Sequence, residues 1–351
     1  MKKKLPFLPL ALLLFFASNQ TIFAQAKDNY TARIDSLIKT TSVRPFNGNI
    51  LVSQNGKIKY SKAYGYSDFA KKTPLKLDDY FVILSNSKQI TAVLVLQEVE
   101  KGKIVLNTPI KKYLPNLKQP WTSTVTVENL LNHTSGIVNF EKPTLFPAGT
   151  QFKYTDLNYI LLGQIIERVT NKTYETVVNE LFKKNKMKDS FFPNADNQKD
   201  VVNGLQYLKG NATKIIQGVI IPKEQVPAAG LVSTVKDLAI WNDLLHNGKL
   251  LNQATYGRMT TYTITNQHSV FGDKEIGYGY GIRVNDEAKI KEFGHTGIVP
   301  DQGFTSVNLY YPETKTSIIV LENQTFDNFD IAYYFEAEIR KIVLNSALLN
   351  K

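Results

Sequence analysis

Ser85-Asn86-Ser87-Lys88 sets a hydroxyl and an ammonium one helical turn apart, where the extended run Phe81–Leu84 gives way to a helical pattern over residues 86–101. A helix N-terminus and a neighbouring ammonium both favour negative charge on a serine oxygen, which is what attack on a carbonyl requires. The same spacing recurs at Ser36–Lys39 and Ser233–Lys236, and a serine at a helix start is also an ordinary cap. Spacing alone therefore leaves the nucleophile open. The chain has no cysteine, which removes thiolate nucleophiles, thiolate zinc sites and iron–sulfur clusters. Its histidines, His133, His246, His268 and His295, show no helical pairing and no H-E-x-x-H, so a zinc site is disfavoured and His133 and His246 read as structural. No G-x-S-x-G nucleophile elbow occurs, against an α/β-hydrolase fold. Gly277-Tyr278-Gly279-Tyr280-Gly281 reads as a twisted strand or site wall rather than a phosphate loop.

The elements that must hold such a site are legible from patterning. Ile34, Leu37 and Ile38 predict an opening amphipathic helix. Asn49–Ser53 and Ile58–Tyr64 flank an Asn-Gly turn, and Thr305–Tyr310 and Thr316–Leu321 flank residues 312–315, which predicts two β-hairpins near the ends of the chain. Helical patterns cover Val127–Asn132, Leu157–Thr170, Val235–Leu245 and Ile331–Leu349. The implied fold class is α+β: an antiparallel sheet with flanking helices plus a central, mostly helical subdomain. Its expected division is a sheet subdomain from about residues 27–84 and 225–351 and a helical subdomain from about 85–224.

Lys2, Lys3 and Lys4 precede an apolar run, Leu5–Ala17, followed by small residues Ala24 and Ala26. This is the pattern of an export signal over residues 1–26, too short in its apolar part to span a bilayer, and it predicts a periplasmic or secreted protein without stable membrane insertion. The formal charge of +11 over 351 residues is spread rather than clustered, with no nucleic-acid-binding signature.

Further motifs appear in a telling order. Phe152-Lys153-Tyr154-Thr155-Asp156 and Leu157–Gly163 resemble the Y-x-N region of serine β-lactamases of class C type, and Gly294-His295-Thr296-Gly297 resembles their K-T-G or H-x-G strand. Leu130–Gly136, Pro147–Thr150 and Ala229–Thr234 are similar to other phrases of that family. The resemblance spans about Gly48 to Asn323 and points to the β-lactamase-related serine hydrolase superfamily, which includes D-Ala-D-Ala carboxypeptidases, D-amino-acid peptidases and esterases. It implies the β-lactamase/transpeptidase-like fold, no cofactor, Ser85 as nucleophile with Lys88, Tyr154 as proton acceptor, and an oxyanion hole from the backbone N–H groups of Ser85 and Ile298 beside Thr296 and Gly297. An unperturbed tyrosine, with a pKa near ~10, is a poor base at neutral pH, so an adjacent Lys88 ammonium is needed to favour the phenolate.

Two positions depart from the family pattern. Asp156 stands where many relatives have Asn, replacing an amide donor with a carboxylate that only accepts when ionised. His295 stands where β-lactamases usually have Lys, and holds a substrate carboxylate only when protonated. The expected substrate is a D-alanyl peptide or related peptidoglycan-derived amide. Carboxylesterase action on small esters, weak β-lactamase activity and a silent peptidoglycan-binding role remain as alternatives.

Overall fold

The computed structural model describes residues 29–208, 213–218, 221–268, 271–272, 275–286 and 290–350. The expected export signal therefore lies outside the described residues. The chain opens with helix α1 (Tyr30–Thr40), then strands β1 (Gly48–Gln54), β2 (Lys57–Tyr64), β3 (Tyr66–Asp68), β4 (Thr73–Pro74) and β5 (Phe81–Val82). Helices α2 (Ser87–Glu100), α3 (Val127–Leu131), α4 (Asp156–Thr170) and α5 (Tyr174–Lys184) follow. Next come β6 (Gly204–Tyr207), β7 (Thr213–Ile216), α6 (Val226–Ala229), β8 (Val232–Ser233), α7 (Val235–His246) and α8 (Gln253–Met259). The chain closes with β9 (Thr265–His268), β10 (Glu275–Tyr278), β11 (Arg283–Asn285), β12 (Glu292–Val299), β13 (Phe304–Tyr311), β14 (Thr316–Glu322), β15 (Gln324–Phe326), α9 (Phe329–Ala332) and α10 (Tyr334–Leu344).

An eight-stranded sheet in the order β2-β1-β14-β13-β12-β11-β10-β9 joins both ends of the chain, and each of its pairs is antiparallel. Both expected hairpins are present. Asn55 and Gly56 take positive φ in the first turn, which is why Asn-Gly suits it, and Lys315 does so in the second. Helices cover both faces, so β1, β13 and β14 are buried along almost their whole length, polar residues included. Ile50, Val52, Val307, Ile318 and Val320 pack against Ile34 of α1 and Phe335, Ile339 and Val343 of α10. Alternate residues Leu51, Ile319 and Leu321 face the helical side, with Val93 and Leu96 of α2 and Trp241 of α7. Helix α2 is buried nearly all round.

Two expected element bounds are shortened, and the mostly helical middle gains two short strands. The closing helix is broken at Tyr333 and ends at Leu344, where Ser346 Oγ turns back to donate to Val343 O at 2.6 Å. The mostly helical middle contains β6 and β7, which form a three-stranded sheet with β15, β15 running parallel to β6. The extended run before Ser85 is only Phe81–Val82, paired with β8.

Arg44 ties the segment before β1 to the far end of the chain. Its guanidinium bonds both oxygens of Glu322 at 2.8 Å and Glu336 Oε2 at 2.9 Å, all buried. Burial and the adjacent Glu322 hold the Glu336 carboxyl well above its usual range. Arg44→Ala strands two buried carboxyls, so it should lower unfolding free energy by about 3–5 kcal/mol in a urea titration. A midpoint and slope equal to those of the parent would show that the clasp is dispensable.

Candidate active site

Ser85 sits at a forced bend. After β5, Ile83 N–H donates to Leu231 O at 2.9 Å, and the fully buried Leu84 then adopts φ of 49°. Left-handed backbone is costly for a bulky L-residue, of the order of ~1–3 kcal/mol, and persists only where neighbours enforce it. Here Ser306 Oγ donates to Ile83 O at 2.7 Å and accepts from Asn86 Nδ2 at 2.8 Å, locking both flanks of the turn. Ser85 lies in a single 3-10 turn, Leu84–Asn86, that runs into α2, and its side chain makes no cap hydrogen bond. The hydroxyl is thus free of the bland capping role.

Lys88 reaches back from the first turn of α2. Its Nζ lies 3.1 Å from Ser85 Oγ, 2.6 Å from Asp156 Oδ1 and 2.9 Å from Ala228 O, and its side chain is fully buried. An ammonium has three hydrogens and no acceptor capacity, so these three oxygens use all of it. Burial pushes the lysine pKa down, Tyr154 and Asp156 push it up, and the balance lies above its ordinary value. Nζ is also 4.8 Å from the centroid of the Tyr154 ring. The rival pairs look different: Ser36 and Lys39 are both exposed on α1, while Ser233 is buried against Ser190 Oγ at 2.8 Å and Lys236 is exposed. Burial, which spacing does not reveal, separates Ser85–Lys88 from them.

Tyr154 and Asp156 are delivered by the start of α4. Thr155 caps this helix by accepting from Leu157 N–H at 3.3 Å, which makes Asp156 its first residue. Asn158, two residues on, accepts from Ser135 Oγ at 2.7 Å and offers its amide to His133 Nδ1 at 3.0 Å. The His133 ring backs Tyr154 with centroids 4.3 Å apart, and burial and Lys88 push its pKa well below the usual value, so it packs as a neutral ring. His246 is likewise buried, stacked on Tyr310 at 4.0 Å, with burial pushing its pKa down to about 3.

The fourth wall is the edge of β12. Strand β11 pairs with it only at Glu292, Phe293 and Gly294, and among the described residues no strand covers that edge from His295 to Val299. This stretch, containing Thr296, Gly297 and Ile298, packs against the Ser85 turn. A Cβ on Gly297 would lie 2.6 Å from Leu84 Cβ and 2.8 Å from Ser85 N, so only glycine allows this approach.

Two positions behave differently from the expectation. His295 is fully buried, with Nε2 3.0 Å from Tyr278 Oη and Nδ1 2.6 Å from Thr296 O. Burial, Arg283 and Lys88 push its pKa well below the usual value, so a protonated His295 holding a substrate carboxylate does not fit; it is a neutral wall. Asp156, expected only at the substrate face, spends one oxygen on Lys88 while its side chain stays 48% exposed. Sequence reasoning missed Tyr278, whose ring packs on His133, Phe152, Tyr154 and His295. The tyrosine–glycine alternation flagged a wall there but not which ring formed it.

Residues 43–341 match the family model described as Beta-lactamase. The chain is similar to Protein flp of Staphylococcus aureus strain MW2, 26% identical over 302 residues, covering 78% of this chain and 59% of that protein's length. It is also similar to the putative penicillin-binding protein PbpX of Bacillus subtilis strain 168, 27% identical over 299 residues, covering 79% and 71%. Among solved structures, the octameric penicillin-binding protein homologue from Pyrococcus abyssi superposes with a TM-score of 0.75 at 25% identity, covering 92% of this chain and 76% of that one. D-amino acid amidase from Ochrobactrum anthropi SV3 shares the fold with a TM-score of 0.76 at 20% identity, covering 90% and 99%.

Gly297→Ala should cut the rate of Ser85 modification by a fluorophosphonate by about tenfold to a hundredfold, because the new methyl displaces the Ser85 turn. Stopped-flow labelling with a thermal melt as folding control checks this. An unchanged labelling rate in a folded variant would show that the approach of β12 to Ser85 is unimportant.

Proposed function

The chain belongs to the β-lactamase family, and on that premise we propose that it is an exported, cofactor-independent serine acyl hydrolase acting on D-alanyl peptides or related amides. The observation that carries the reading is the Lys88 Nζ contact to Ser85 Oγ at 3.1 Å, from an ammonium whose other two hydrogens are engaged. Such a lysine donates to the serine oxygen and has no lone pair with which to take its proton. The proton acceptor is then Tyr154, beside Lys88. Ser85 Oγ attacks the carbonyl carbon as its proton moves to Tyr154, and the backbone N–H groups of Ser85 and Ile298 receive the oxyanion. The tetrahedral species collapses as Tyr154 returns the proton to the leaving nitrogen. Water then repeats the sequence on the acyl-enzyme and regenerates Ser85.

A second reading, carboxylesterase action on small esters, is favoured by the neutral, buried His295, since a histidine in that state does not supply the cation that a substrate carboxylate needs. Thr296, Gly297 and Ile298 would line either substrate's path. The two readings share the nucleophile and the water that follows it, and differ in the leaving group, an amine or an alkoxide.

Intact-mass analysis after a penicillin or fluorophosphonate probe should show one adduct that Ser85→Ala loses, with D-alanyl amides, D-Ala-D-Ala peptides, nitrocefin and p-nitrophenyl esters compared in parallel. An adduct mapping to Ser36 or Ser233 would defeat the assignment. Lys88→Ala and Tyr154→Phe should each slow acylation by about 10²–10⁴, and the double variant should be little worse than either single one because the groups act as a unit. Near-parental turnover in both folded single variants would remove them from the mechanism.

A further inference from the structure

Asp156 has two carboxylate oxygens and the fold uses one. Oδ1 accepts from Lys88 Nζ at 2.6 Å, while Oδ2 makes no hydrogen bond among the described residues. The Lys88 side chain is fully buried and that of Asp156 is 48% exposed, so the pair is a dipole with its negative end directed outward, two hydrogen bonds from Ser85 Oγ. Asp156 is the first residue of the 15-residue helix α4, so its side chain leaves the helix at the end that faces the Ser85 turn through Lys88.

The surrounding wall does not offset that charge. His133 and His295 are buried neutral rings, and Tyr278 is a buried phenol. Arg283 stands opposite Gly294 in the register. Its side chain lies on the sheet face of Gly294 and Glu292 and lines a small cavity with His295 and Thr296, and among the described residues it makes no hydrogen bond to Asp156. Relatives with an amide at position 156 and a lysine at position 295 would present a neutral group and a cation; this chain presents an anion and a neutral ring.

We propose that Asp156 is a specificity-determining residue that selects substrates bearing an ammonium group beside the scissile carbonyl and disfavours those bearing a carboxylate there. The proposal rests on Ser85 being the nucleophile. An incoming ammonium donates to Oδ2 while Oδ1 stays on Lys88, so the cation is bound without dismantling the proton-transfer set. A carboxylate at that place meets like charge at close range in a partly desolvated cleft.

The test compares D-alanine p-nitroanilide with its N-acetyl and N-succinyl derivatives, which place a cation, a neutral amide and an anion on the same acyl group. In the parent protein kcat/KM should fall in that order, by about tenfold from the cation to the neutral amide. Asp156→Asn loses overall rate because Asp156 partners Lys88, but that loss is common to all three substrates and cancels in their ratio. The ratio should shrink about tenfold in Asp156→Asn and be kept in Asp156→Glu. Binding of D-alaninamide against N-acetyl-D-alaninamide to Ser85→Ala, by calorimetry, gives the same comparison without turnover, and should favour the free amine unless Asp156 is also replaced. An unchanged ratio in Asp156→Asn, or equal binding of the two amides, overturns the selectivity while leaving Ser85 as nucleophile. Residual turnover of the anilides by Ser85→Ala overturns the nucleophile assignment, and the selectivity with it.

Discussion

A fully buried ammonium is the constraint on which the rest of this structure depends. Taking a lysine charge out of water costs several kcal/mol even after relaxation, so Lys88 is tenable only where acceptors meet every hydrogen. The three acceptors come from separate parts of the chain: the Ser85 turn, the first residue of α4, and Ala228 of α6. Meeting them brings the start of α2, the start of α4 and the segment before β8 to one point. The proposed catalytic geometry and the satisfaction of a buried charge are here one requirement.

The same requirement explains the strained backbone beside it. For Ser85 Oγ to face Lys88 while its backbone N–H faces the β12 edge, the chain must bend sharply between β5 and α2, and Leu84 absorbs the bend at positive φ. Ser306 and Asn86 hold that bend from the β13 side, and Gly297 lets β12 come within van der Waals reach of it. The large sheet is thus more than a support for helices, since one strand edge left unpaired among the described residues completes the site. The Arg44 clasp acts at the other end, fixing β1, β14 and α10 as the frame in which that edge is held.

Much of this was legible in the sequence where local chemistry dictates structure. Asn55-Gly56 names its own turn, the apolar spacing of α1, α4 and α7 names their faces, and the ordered motifs from Ser85 to Gly297 name the family. What was hidden is what depends on burial and on distant partners. The Ser85, Ser36 and Ser233 pairs are equivalent by spacing and differ only in what surrounds them. His295 was visible as a residue type, but its charge state is set by complete burial, Arg283 and Lys88, which no local pattern encodes. Leucine carries no hint of left-handed backbone, so the Leu84 bend had no signature. Strands of four residues such as β6 and β7 fall below the length at which alternation is readable, and the apolar spacing of Leu344, Leu348 and Leu349 continues past a helix that has already ended.

The central claim is that Lys88 is an ammonium that orients and stabilises, leaving proton acceptance to Tyr154. The most direct measurement is the ¹⁵N chemical shift of Lys88 Nζ followed by NMR across about pH 6 to 9, a range below the ordinary lysine pKa of about 10.4, with the resonance assigned by its loss in Lys88→Arg. A slowly exchanging ammonium signal that keeps its shift throughout that range is the predicted result. A shift that titrates to the neutral amine within it would make Lys88 available as the base and contradict the mechanism.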